Sequence, residues 1–171
     1  MSPVRAGMLL LILFAGNLAM KPWTTAILRR HRFRTVLLVN GLLIAGTFAG
    51  CALITADTPL VAMGLLLFVA GLTRSMQFTA FNTLAFADVP AERMGGANTL
   101  FNTMFQLTMG MGVALGALFL RLPAWGSDAP PSLNDFRLAL LLMGGVCLLS
   151  LIEMARLDRS AGSAVFPHER R

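Results

Sequence analysis

Val36-Leu-Leu-Val-Asn-Gly-Leu-Leu-Ile-Ala-Gly-Thr-Phe-Ala-Gly-Cys-Ala-Leu-Ile54 is a run of nineteen residues without a charge. As a helix rising about 1.5 Å per residue, such a run nearly matches the roughly 30 Å hydrocarbon layer of a bilayer. A chain in lipid must satisfy its own backbone hydrogen bonds, which a helix does. Upstream, a second apolar stretch occupies about residues 4–28. Downstream, Ala56-Asp-Thr-Pro59 reads as a short turn, and apolar residues resume over about 59–87. Two further runs follow, at about 95–121 and 136–156, and residues 157–171 form a polar tail. The expected fold class is therefore all-α, a polytopic membrane bundle of five transmembrane helices. The third run, 28 residues from Leu60 to Ala87, would be about 42 Å long as a helix and must tilt or project beyond the bilayer.

The composition agrees. Of 171 residues, 56% are apolar and 13% charged, with a mean hydropathy of +0.72. A soluble domain carries about a quarter charged residues, and a disordered chain needs low hydrophobicity. Fourteen basic residues against eight acidic ones leave a net charge of +6, but their placement argues against nucleic acid as a partner. Lys21, Arg29, Arg30, Arg32 and Arg34 share one connector, and Arg156, Arg159, Arg170 and Arg171 lie in or beside the tail. With Arg93 they put ten cations on one side of the bundle, against Arg5, Arg121 and Arg137 on the other. The positive-inside rule then orients the chain with its N-terminus outside and its C-terminus in the cytoplasm, most simply in a bacterial inner membrane. A signal peptide is the competing reading of the first run, but no good small-x-small cleavage site follows it. Cys51 and Cys147 fall in apolar runs without zinc-type spacing and read as packing residues.

Several stretches resemble a known family. Gly16-Asn-Leu-Ala-Met-Lys21 followed by Ile27-Leu-Arg-Arg-His-Arg-Phe-Arg-Thr-Val-Leu-Leu-Val-Asn-Gly41 resembles the basic cytoplasmic loop between the second and third helices of each half of a major facilitator superfamily transporter. Arg32 stands where that motif usually has glycine. Gly71-Leu-Thr-Arg-Ser-Met-Gln-Phe-Thr-Ala-Phe-Asn-Thr-Leu-Ala-Phe-Ala-Asp-Val-Pro90, with Gly95-Gly-Ala-Asn-Thr-Leu100 and the segment Gln106 to Gly116, resembles the late helices of drug:proton antiporters of the 14-helix branch. The resemblance implies the late part of the C-terminal half of such a fold, and so one wall of an alternating-access path. It implies as partners the lipid bilayer, a missing N-terminal half in the same or a separate chain, and a small-molecule substrate. It assigns Lys21, Arg29, Arg30, Arg32 and Arg34 to a gating loop and calls for no cofactor.

The polar residues within the spans supply the candidate site. Arg74 lies near the middle of the third run, where an arginine costs at least about 2.5–3.5 kcal/mol on insertion scales and needs a cavity or a partner. Gln77, Phe78, Phe81 and Asn82 follow at helical spacings of 3, 4, 7 and 8. Asn98, Phe101, Asn102, Phe105 and Gln106 repeat those offsets in the fourth run. A substrate path is the favoured reading of the Arg74 face, with a structural arginine bonded to backbone carbonyls as the other. For the amides of the fourth helix, a wet path and interhelical packing stand level. Gly46-x-x-x-Gly50 and Gly112-x-x-x-Gly116 are the candidate helix-packing pairs. The carboxylates lie in connectors or near span ends rather than at mid-membrane, and neither a metal site nor a hydrolase motif such as H-E-x-x-H or G-x-S-x-G is present. No enzyme activity is expected. Two alternatives stay open beside the transporter fragment: a free-standing small membrane protein that binds partner helices, and a truncated product without activity.

Overall fold

The computed structural model describes residues 3–55, 57–123 and 130–158. Five long helices run Pro3–Arg30 (α1), Phe33–Ala52 (α2), Leu60–Ala85 (α3), Met94–Arg121 (α4) and Leu133–Arg156 (α5), and a 3₁₀ turn at Ala91–Arg93 precedes α4. Each of the five is long and apolar enough to cross a membrane. The chain is an all-α membrane protein.

Local chemistry sets the helix boundaries. Pro59 and Pro90 adopt extended backbone (ψ 140° and 149°), and α3 and the 3₁₀ turn start at the residues after them. Helix α5 opens with a capping box: the Asp135 backbone N–H donates to Ser132 Oγ (3.4 Å), and the Ser132 N–H donates to Asp135 Oδ2 (2.7 Å). Between α1 and α2 only His31 and Arg32 are non-helical. The basic connector expected over 21–34 is thus mostly helix. Arg29 and Arg30 occupy the last turn of α1, where cations suit the helix dipole, and Arg34 stands in the first turn of α2.

Helix α1 packs along α3 rather than along its chain neighbour α2, while α2 packs against α3 and α5, and α5 against α4. The closest backbone approach is between α1 and α3. A Cβ at Gly16 would strike the Phe68 carbonyl oxygen, and one at Gly71 would strike the Leu13 carbonyl oxygen and come within 2.9 Å of the Asn17 nitrogen. Only hydrogen fits at these two points. The glycine pairs expected from sequence stand apart from this crossing. A Cβ at Gly46, Gly112 or Gly116 meets nothing within 4 Å among the described residues, and at Gly50 it meets only the Leu66 side chain, at 2.9 Å. Glycine is frequent in membrane helices, and the helix crossings decide which of them matter.

Buried Leu28, Phe33, Val36, Leu37, Met76 and Ala80 form the core where α1, α2 and α3 meet. Beside it Asn40 donates to the Thr73 carbonyl (2.8 Å) and to Gln77 Oε1 (2.7 Å), and Gln77 Nε2 reaches Met154 Sδ at 3.7 Å. That node ties α2, α3 and α5 together, as amides in lipid must be satisfied by neighbours. Outward, the helices present apolar side chains such as Leu18, Val61 and Val113, each more than 70% exposed. The fold is apolar on the outside, as a bilayer requires. Arg159, Arg170, Arg171 and most of the tail lie outside the described residues.

Candidate functional site

Helix α3 divides its faces sharply. Thr73, Met76 and Ala80 are buried, Gly71 is closed off by α1, and Arg74, Phe78 and Phe81 are exposed. A 100° step per residue puts these three within about 60° of one another. Arg74 makes no hydrogen bond or ion pair with a described residue.

The aromatic rings continue from this face onto α4. Phe78 meets Phe105 edge-on at 5.2 Å between centroids, Phe105 stacks on Phe101 at 6.4 Å, and Phe101 meets Phe86 at 5.3 Å. Such pairs contribute about 0.5–1.5 kcal/mol beyond their area. They bring α4 toward α3. At the far end of the series a cleft of about 250 Å³ opens between Phe86, Met94, Gly95 and Asn98.

Lys21 joins the same face. Although grouped by sequence with the basic connector, it lies inside α1, nine residues before Arg30, with its Nζ 6.0 Å from the Phe78 ring centroid. Pro22 follows it, so no amide hydrogen returns to the Leu18 carbonyl at this point. The α1–α3 contacts climb together, Ile12 with Gly64, Asn17 with Gly71 and Lys21 with Phe78, so the two helices are parallel. One turn beyond the Asn17–Gly71 contact, Lys21 comes level with residue 75. Lys21 and Arg74 therefore share a depth.

The remaining sequence candidates divide by geometry. Gln77 turns away from the Arg74 face into the Asn40 node. Asn82 is half-buried near the C-terminal end of α3. Asn98, Asn102 and Gln106 are exposed on α4, and Asn102 Nδ2 donates back to the Asn98 carbonyl (2.9 Å) and to Asn98 Oδ1 (3.1 Å). Among the described residues no group of three or more His, Cys, Asp or Glu side chains could hold a metal. Sequence reasoning missed Asn40, whose signal was an amide standing in the charge-free run, and missed the contact roles of Gly16 and Gly71.

Comparison with known proteins adds identity to this geometry. The family model of the Major Facilitator Superfamily matches residues 1–171. A protein named multidrug resistance protein MdtD from Pectobacterium carotovorum is 31% identical over 119 residues, covering 70% of this chain and 26% of that protein. The protein of that name from Klebsiella pneumoniae strain 342 is 26% identical over 165 residues, covering 95% of this chain and 35% of its own length. The chain thus spans about a quarter to a third of the curated relatives it matches. No solved structure matches it.

Proposed function

The chain belongs to the major facilitator superfamily, and we propose that it forms the C-terminal part of a secondary active exporter of small molecules, amphipathic ones among them. The observation that carries this reading is the exposed α3 face, where Arg74 stands near the middle of a membrane helix with the partly exposed Phe78 and Phe81 following it toward the C-terminal end. A central arginine and an aromatic series fit a path wall better than a lipid-facing surface. The names of the relatives, which speak of multidrug resistance, fit the same reading.

In this reading the missing half, in the same chain or a separate one, covers the α1–α3–α4 face, and the path runs between the two. Rocking of one half against the other alternates access. The N-terminus faces outside and the C-terminus the cytoplasm of a bacterial inner membrane. Arg29, Arg30, Arg32 and Arg34, clustered where α1 turns into α2, form the cytoplasmic gate, with Lys21 deeper on the same helix. The role is transport rather than catalysis.

Deleting the coding segment at its own locus tests this. Retention of fluorescent amphipaths should rise and return to normal on complementation, and complementation with Arg74→Leu should fail while the protein still reaches the membrane. Unchanged retention across a panel of charged and neutral amphipaths would overturn the transport reading. Loss of the Arg74→Leu protein from the membrane would assign Arg74 to structure instead.

A further inference from the structure

Among the described residues the path face carries two cations and no counter-charge. Lys21 and Arg74 stand at one depth on adjacent parallel helices, both exposed, on either side of the α1–α3 contact. The described carboxylates, Asp57, Asp88, Glu92, Asp135, Glu153 and Asp158, all lie in connectors or in the end turns of helices. Phe78, one turn beyond Arg74, supplies a ring under the Lys21 ammonium and leads to Phe105. Lys21 is nine residues from Arg30, about 13 Å along the helix, and so lies below the level of a lipid headgroup at that end.

Resting on the transport reading above, we propose that this face is an organic-anion site: Lys21 and Arg74 hold the anionic group, and the Phe78–Phe105 pair packs against an apolar ring body. An ammonium-bearing molecule of the same shape meets two like charges at low dielectric and is rejected. The face thus selects by the sign of the charge, and the arginine adds the planar fork that suits a carboxylate or sulfonate.

The test uses two probes with one ring system, naphthalene-2-sulfonate and 2-naphthyltrimethylammonium. Each is bound at equilibrium to the protein produced from its own locus and reconstituted in phosphatidylcholine vesicles, with protein-free vesicles subtracted. The sulfonate should bind at least about tenfold tighter than the ammonium, as charge-assisted hydrogen bonds allow. Lys21→Gln and Arg74→Gln should each erase most of that preference, while Lys21→Arg and Arg74→Lys keep it. Equal or tighter binding of the ammonium by the unaltered protein overturns the proposal whether or not the glutamine variants fold. So does an unchanged sulfonate affinity in the double glutamine variant, the result expected if carboxylates of the missing half neutralise both cations. Weakening of the sulfonate by added anionic lipid, with no preference left, would assign the face to lipid instead. Sulfonate preference with amphipath retention unchanged by the deletion would overturn transport and leave the site. Efflux without the preference would do the reverse.

Discussion

Asn40 donates both amide hydrogens to α3, one to the Thr73 carbonyl and one to Gln77, and is 6% exposed. Interhelical hydrogen bonds of this kind contribute on average about 0.6 kcal/mol and at most about 1.7 kcal/mol in measured membrane cases. Asn40→Leu should therefore destabilise the protein by about 1 kcal/mol, read by denaturant titration in mixed micelles. Paired with Gln77→Leu in a double-mutant cycle it should show coupling, because each removes the other's partner. Strict additivity would mean that the node is not a working contact. At this scale the sequence was only partly legible. The spacing that put Gln77 with Arg74 was sound as geometry, yet a residue about 60° from the centre of a face can turn to either side. The amide on α2 that draws Gln77 away is 37 positions distant. Lys21 read both as part of the span of about residues 4–28 and as part of the basic connector, and the helix continues past it through Pro22 to Arg30.

Between elements, contact is decided by which helix faces which, and local sequence carries little of that. Gly46 and Gly50, like Gly112 and Gly116, have the spacing of a packing motif, but the backbones actually meet at Gly16 and Gly71. Both of those glycines were visible in the sequence only as parts of longer stretches. Since the obstructing atoms are backbone, a side chain at Gly71 cannot be accommodated by a rotamer change. Gly71→Val should separate α1 from α3 at the 1–3 kcal/mol cost typical of overpacking, or more, and should lower the amount of protein in the membrane. Gly46→Val, with open space around it, should leave the amount within experimental scatter. Equal losses from both would contradict the α1–α3 crossing. The number and type of elements were legible, because long charge-free runs broken by Pro and charged residues admit little besides membrane helices.

For the molecule as a whole, five helices make an assembly that leaves one side uncovered. Helix α4 has no fully buried residue, and the cations Lys21 and Arg74 face the same side as its aromatic residues. Membrane class and family were legible from composition and motif, and the family model spans residues 1–171. The spacing of Arg74, Phe78 and Phe81 made their shared face legible, but the place of Lys21 beside them was not, because it joins through the parallel packing of α1 on α3. Transport as proposed requires that this face line a path to water and not be covered by lipid. The direct measurement is cysteine accessibility in membranes from cells making the protein from its own locus, with Cys51 and Cys147 replaced by alanine. Phe78→Cys and Phe81→Cys should react with a membrane-impermeant thiol reagent. Leu65→Cys, about 180° around α3 from Arg74, and Val69→Cys should stay unlabelled. Substrate added beforehand should slow the reaction at 78 and 81. Labelling at 65 and 69 with silence at 78 and 81 would put lipid where the path is drawn and contradict the account.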